Sequence, residues 1–271
     1  MPLEAPPLTD TDAAAVAPIM VARDTDLRRL ERYYHLAKRQ AWSVKDLAWD
    51  QLPVLPETRT SDRWQGLWRS VLSQLVQADH IAVKASAELL SRAEHREATL
   101  YYTTMVQDEA RHVEALMRVA EAVGELGQRN PYLDELADLQ YDSETLEEKV
   151  ICLQGFFEAM VIPFFHDISR VARGSILGEL CQRLAVDDGI HHGSGLAYAD
   201  VLMADASPAL RRKVQDRLRE FYPIYIEFVK WRPPERAWLS RLMADRDAQL
   251  IQAHIQFAHR LVHRWGLTID L

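Results

Sequence analysis

Four acidic residues stand where a helix would face its core: Asp79, Glu109, Glu158 and Asp188. On a helix, the residues sharing a face with position i are i±3, i±4 and i±7. By that rule Asp79 lies among Leu72, Leu75, Val76, Ala82, Val83 and Ser86, and Glu109 among Tyr102, Met105, Val106, His112, Val113 and Leu116. Glu158 has Ile151, Gln154, Gly155, Val161, Ile162 and Phe165 around it; Asp188 has Cys181, Leu184, Ala185, His191, His192 and Gly195. No lysine or arginine lies on any of the four faces. Taking an ionised carboxylate out of water costs on the order of several kcal/mol even after relaxation, so each acid must be neutralised, paired with a base or bound to a metal ion.

Two of the acids are followed three residues later by histidine, in Glu109-Ala-Arg-His112 and Asp188-Gly-Ile-His191. That spacing sets carboxylate and imidazole roughly 60° apart on one helix face, able to share a metal ion. With 40 acids and 10 histidines in 271 residues, about one or two such matches arise by chance, so placement rather than the motif carries the weight. Asp79 precedes Glu109 by 30 residues and Glu158 precedes Asp188 by 30. The chain therefore holds two helix pairs of the form acid, 30 residues, acid-x-x-His, and an antiparallel pair with a short loop would bring each first acid level with its partner motif. Beside Asp79, Gln77 and His80 are alternative donors, and Asp187 and His192 offer a pairing that competes with Asp188 and His191.

The elements that must position these residues are helices. Only 10 glycines are present, strand-like alternation is nearly absent, and apolar residues recur at three and four over long stretches. The expected fold is all-α, a four-helix bundle with three additional helices around it. Residues 1–24, with four prolines and an alanine run, read as a flexible arm, and 25–271 as a single helical domain. Helices are expected from Leu27 to about Trp49, Trp64 to Ser91, Glu97 to Val123, Ser143 to Arg173, Ile176 to Ala204, Pro208 to Val229, and from the WRPPERAW segment to about Trp265; the helix ending at Val123 closes at Gly124, and residues 127–143 read as a polar linker. Gly189, Gly193 and Gly195 each cost about 1 kcal/mol inside a helix, which points either to an early end or to space needed beside the site.

Composition narrows the classes of partner. The formal charge of −8 gives no reason to expect a nucleic acid or an anionic membrane surface. Cys152 and Cys181 are too few for a disulfide framework, and the start MPLEAPPLTDTD lacks the basic and apolar regions of a signal peptide, so a cytoplasmic location is expected. The most apolar stretch, residues 150–165, is too short to span a bilayer and contains Gln154 and Glu158.

With these motifs in hand, the chain resembles the ferritin-like di-iron carboxylate proteins, in particular the group that includes the ribonucleotide reductase small subunit. QADHIAV is similar to that group's first-ligand helix, QDEARH to its first Glu-x-x-His, GFFEAMVIPFF to its helix with a glutamate among aromatics, and DDGIHHG to its second Glu-x-x-His with aspartate substituted. The resemblance covers roughly residues 40–200. It implies that Asp79, Glu109, His112, Glu158, Asp188 and His191 bind two metal ions, with Glu109 and Glu158 bridging and His192 an alternative ligand. Where the reductases place a radical-forming tyrosine this chain has Leu116, which disfavours nucleotide reduction. Where the related arylamine N-oxygenases carry an extra histidine it has Leu184.

Carboxylate oxygens with one imidazole per metal suit two iron ions or a manganese–iron pair. The expected function is an O2-dependent non-haem di-iron oxidoreductase of hydroxylase, N-oxygenase or desaturase type, with O2 as co-substrate and a small organic or carrier-bound substrate. No GxGxxG fingerprint is present, so electrons are expected from an external ferredoxin or flavoprotein reductase. A homodimer is compatible with this reading. Tyr102, Met105, Phe165 and Tyr198 are candidate pocket residues, although core packing is the favoured role for the two tyrosines. Trp42, Trp49, Trp64 and Trp68 read as anchors of the first two helices, and His254, His259 and His263 as packing or solvated residues. The alternative function is that of a ferritin-like iron-handling protein with ferroxidase activity.

Overall fold

The computed structural model describes residues 27–267, so the expected arm at 1–24 lies outside the described residues. Those residues form α1 (Leu27–Gln40), α2 (Asp62–Arg92), α3 (Arg96–Ala120), α4 (Pro131–Asp142), α5 (Leu146–Val171), α6 (Ile176–Ala204), α7 (Pro208–Lys230) and α8 (Ser240–Arg264). No strand occurs among them. The fold is a ferritin-like bundle: α2 packs along α3 and α5 along α6, while α1 lies across α3 and α6.

The expectations differ from the structure at three joints. The first helix stops at Gln40 rather than near Trp49, because Ser43 and Asp46 close a reciprocal capping box around a short 3-10 turn, Val44–Asp46. The expected polar linker contains α4, which makes four flanking helices rather than three. Asn130 caps α4 by accepting a hydrogen bond from the Tyr132 amide, Pro131 occupies its first turn, and Leu133, Leu136 and Ala137 are buried. Its far end is held by the fully buried Lys149, whose Nζ donates to the Gln140 and Tyr141 carbonyls. The third difference is in the cap of α5, formed by Thr145 with Glu148 rather than by Ser143.

α5 is long and apolar enough to cross a membrane by length and composition, longer than the 150–165 stretch suggested. It is nonetheless packed within the bundle, and Lys149, Gln154 and Glu158 are all buried on it. Residues Ile151–Phe157 are wound as π-helix, with the Glu158 amide bonded to the Leu153 carbonyl. Such segments are rare and re-aim side chains, here immediately before Glu158.

α6 runs unbroken through Gly189, Gly193 and Gly195. A Cβ at Gly193 would lie 2.5 Å from the Tyr33 hydroxyl, and one at Gly195 only 2.1 Å from Gln154 Cβ. The space those two glycines provide is filled by neighbouring helices, not left open beside the site. One apolar cluster takes in Tyr101, Tyr102 and Met105 of α3 with Ile190 and Tyr198 of α6; another takes in Ala115, Leu116 and Val119 with Leu177–Ala185. The four acids sit in the layer between.

Candidate metal centre

The two helix pairs deliver their acids to one buried place. Asp79, Glu109, Glu158 and Asp188 are each at most 6% exposed, and His112 and His191 are fully buried. Donor atoms of Glu109, Glu158, Asp188 and His191 lie within 4.8 Å of one another, as do those of Asp79, Glu109 and His112. Glu109 belongs to both groups, whereas Glu158 belongs to one. His191 Nδ1 is 3.0 Å from Glu109 Oε1 and 3.7 Å from an oxygen of Glu158 and of Asp188; His112 Nδ1 is 3.4 Å from Glu109 Oε2.

The alternative donors fall elsewhere. His192 turns away: its Nδ1 donates to the Gln154 carbonyl at 2.8 Å and its ring packs on Phe257. Gln77 Nε2 donates to the Asn130 carbonyl and to Asp134, and His80 is exposed.

Asp79 Oδ2, Glu109 Oε1, His112 Nδ1 and His191 Nδ1 are buried yet make no hydrogen bond. Buried polar atoms seldom go without partners, and here four unpartnered donor atoms converge. Carboxylate oxygens with one imidazole nitrogen per group form a donor set that suits iron or manganese, so the residues fit a pair of such ions.

Without metal the site stores protons. Burial pushes the Asp79 carboxyl up to about 8, and burial with the neighbouring acids raises Glu158 and Asp188. Burial would raise Glu109 too, but the adjacent imidazoles of His112 and His191 overcome it and hold Glu109 at about 2. Both imidazoles are raised well above their ordinary range; burial opposes the charge, and the surrounding carboxylates prevail.

A second layer went unread in the sequence. His112 Nε2 donates to Asp187 Oδ2 at 3.0 Å, and the same oxygen accepts from Trp42 Nε1 at 2.8 Å and Arg111 Nη2 at 2.9 Å. Reciprocally, His191 Nε2 faces Asp108 Oδ2 at 3.5 Å, and Arg111 Nη2 donates to Asp108 Oδ1 at 2.7 Å. Each motif's preceding aspartate thus holds the other motif's histidine, and Arg111 joins the two. The guanidinium is 8% exposed and stacks on the Trp42 ring at 4.6 Å. The signal was present as an aspartate directly before each acid, in DEARH and DDGIH. A residue next to a core position lies about 100° round the helix, so its spacing along the chain gives no sign of a partner in the opposite motif.

Of the expected pocket residues, Phe165 lines a cavity of about 250 Å³ between α2, α5, α7 and α8, together with Trp64, Trp68, Leu75, Val161 and Phe228. Leu75 lies one turn before Asp79 and Val161 one turn after Glu158. Three charged groups besides Asp247 stand at its wall: Arg232, joined to Asp247 through two bonds of 2.7 and 2.8 Å, Asp167, joined to Arg246, and Arg236. Tyr102, Met105 and Tyr198 do not line this cavity. Tyr102 donates to Gln154 Oε1 at 2.7 Å, Met105 is fully buried beside Gln154, and the Tyr198 hydroxyl meets His95.

No protein-family model matches this sequence, and no curated protein is similar to it in sequence. Solved structures do match. A point variant of an R2-like ligand-binding oxidase with an anaerobically reconstituted Mn/Fe cofactor superposes with a TM-score of 0.61 at 19% identity, over 88% of this chain and 91% of the other. A second variant with Mn/Fe gives 0.67 at 18% identity, over 87% and 93%, and a third with Fe/Fe gives 0.59 at 18%, over 88% and 90%. The chain therefore shares the ferritin-like bundle of these oxidases.

Proposed function

We propose that the protein is an O2-dependent oxidoreductase that holds two metal ions, iron with iron or manganese with iron, and acts on a small apolar organic molecule. The observation that carries this reading is the convergence of four unpartnered buried donor atoms on one place, with Glu109 common to both donor groups. Asp79, Glu109 and His112 would hold one ion; Glu109, Glu158, Asp188 and His191 the other. A pair of such ions supplies the two-electron chemistry with O2 that side chains alone cannot.

The chain's own residues provide position and dryness. His112 and His191 turn Nδ1 inward because Nε2 is held by Asp187 and Asp108, which fixes both rings before any ion arrives. Asp79, Glu158 and Asp188 hold protons that must leave when metal binds, while Glu109 is already ionised. Core residues above and below keep water out, and the apolar cavity is lined by Leu75 and Val161, one helical turn from Asp79 and Glu158 along the chain. A cavity lined mostly by apolar side chains, with Arg232 and Asp167 held in ion pairs, favours a neutral, apolar substrate over an ionic one. Hydroxylation, N-oxygenation and desaturation all fit such a site. Electrons come from an external one-electron donor of the ferredoxin or flavoprotein class.

The test is anaerobic loading with Fe(II) followed by oxygen-electrode measurement with and without a panel of neutral apolar molecules. Oxygen uptake that one class of molecule accelerates, with an oxidised product by mass spectrometry, supports the reading. Slow uptake indifferent to all of them, with iron accumulating as a ferric core, would instead support the iron-handling alternative.

A further inference from the structure

The first helix carries charge of the opposite sign to the rest of the protein. In a chain of formal charge −8, α1 holds Arg28, Arg29, Arg32, Lys38 and Arg39 against one acid, Glu31. Its inner face is used by the bundle: Leu27, Leu30 and Ala37 are buried, and α1 lies across α3 and α6. Arg28, Arg32, His35 and Arg39 recur at intervals of four, three and four residues, which sets them in one stripe about 16 Å long. All four are exposed.

Helix stability does not account for the stripe. Lys38 and Arg39 suit the negative end of the helix dipole, but Arg28 stands in the first turn, at the positive end, where no acid accompanies it. The side chains of Arg28, Arg32 and Arg39 make no hydrogen bond or ion pair among the described residues. On α7, by contrast, Arg217, Arg219 and Lys230 each pair with an acid three residues away. The position of the stripe is equally specific. Because α1 lies across the helices that carry His112 and His191, a partner on its outer face is separated from both by the thickness of one helix, about 10 Å. The apolar cavity opens elsewhere, with no lining residue from α1, α3 or α6. A substrate therefore has no use for this face, whereas an electron needs only proximity. A membrane has no use for it either, since the apolar side of α1 is already buried.

We propose that the outer face of α1 is the docking surface for an acidic one-electron carrier protein of the ferredoxin or flavodoxin class, with Arg28, Arg32 and Arg39 meeting its carboxylates. The proposal rests on the oxidase reading, which calls for an external donor. Transfer of one oxygen atom of O2 to a substrate leaves the other to become water, and that takes two electrons and two protons. The carrier is oxidised by one electron at each docking, so two dockings supply both electrons, and solvent supplies the protons. Attraction between a basic stripe and an acidic surface speeds encounter and fades as salt is added.

The experiment titrates two probes, a [2Fe–2S] ferredoxin and a flavodoxin, into the full chain by calorimetry at about 20 and about 200 mM salt. Metal-free protein is used first, so that binding is read independently of oxygen chemistry. Reduced ferredoxin is then mixed with the iron-loaded, air-oxidised protein in a stopped-flow spectrometer, with dithionite as a small donor for comparison. At least one probe is expected to bind at the lower salt and to weaken about tenfold at the higher. Arg28→Glu combined with Arg32→Glu and Arg39→Glu is expected to weaken binding and slow electron transfer about tenfold or more, with reduction by dithionite unchanged. Glutamine at the same three positions should give an intermediate effect and serves if the glutamate variant does not fold. Lys84→Glu combined with Arg173→Glu and Arg212→Glu makes the same change of net charge at exposed positions off α1, and is expected to keep most of the affinity. Equal loss in both triple glutamate variants overturns the proposal, as does the failure of both probes to bind at the lower salt, or preference of the stripe for a DNA duplex over either. If binding follows the stripe but the loaded protein consumes no O2 in the oxygen electrode, the docking surface stands and the oxidase reading fails.

Discussion

His112 and Asp187, 75 residues apart, are joined through Nε2 and Oδ2 at 3.0 Å, while Nδ1 of the same ring points inward and makes no hydrogen bond. Asp108 faces His191 in the same manner from the opposite helix. The two acid-x-x-His motifs therefore brace each other, and each imidazole presents one committed and one available nitrogen.

Because Glu109 is common to both donor groups, Glu109→Ala should abolish binding of both metals. Asp79→Asn should spare the group formed by Glu109, Glu158, Asp188 and His191, and so lose one ion. Metal analysis of the purified variants checks this, with circular dichroism showing the helices intact. Equal retention of two ions in Glu109→Ala would contradict the assignment.

Asp187→Ala removes the acceptor of three donors at once: His112, Arg111 and Trp42. Loss of a carboxylate that orients a ligating histidine typically weakens metal affinity about 10–100-fold. Competition with a chelator measures the change, and it should fall mainly on the ion held by Asp79, Glu109 and His112. An unchanged affinity would mean that the bond does not orient the ring.

The protonation pattern fixes a direction for pH. Asp79 rises from 3.8 in an open chain to about 8 in the fold, so folding takes up a proton across that interval. The stability it contributes is full below about 4 and is lost as pH rises toward about 8. Glu158 and Asp188, also raised, act in the same sense; so do His112 and His191, whose contribution is lost as pH climbs through their raised values. Glu109 acts oppositely, but only in acid, as pH falls toward about 2. The melting temperature of the metal-free protein should therefore decline from pH 5 to pH 8, and metal binding at pH 7 should release protons, as calorimetry in two buffers reads directly. A melting temperature that climbs over that interval would be inconsistent with these shifts.

The glycines of α6 give a paired stability test. Gly189 has nothing within 4 Å of where a Cβ would sit, so Gly189→Ala should stabilise by about 0.5–1 kcal/mol. Gly195→Ala would drive a methyl to 2.1 Å from Gln154 Cβ and should destabilise by about 1–3 kcal/mol. Thermal denaturation of the two variants distinguishes a packing role for Gly195 from open space beside the site.

Much of this site was legible because buried acids violate the helical pattern in a way that periodicity exposes. Asp79, Glu109, Glu158 and Asp188 each stand out against an apolar face, and the two 30-residue intervals correspond to the pairing of α2 with α3 and α5 with α6. What stayed hidden depended on contacts between helices far apart in sequence. Asp108, Arg111, Asp187 and Trp42 meet only when α1, α3 and α6 are assembled, and their spacing along the chain carries no sign of it. The choice between His191 and His192 turned on the rotation of α6 against the π-helical stretch of α5, whose Gln154 carbonyl takes up His192. α4 was missed because a 12-residue helix with four acidic residues reads as a polar linker until Leu133, Leu136 and Ala137 find their partners.

The proposed function stands on the convergent donors of Asp79, Glu109, His112, Glu158, Asp188 and His191 holding two redox-active ions. Metal content per chain after anaerobic Fe(II) loading, followed at once by the optical response to O2, tests it most directly. Close to two ions per chain and an absorbance change that requires oxygen are expected. A folded protein that retains no metal after loading would contradict it, and the buried acids would then need another explanation.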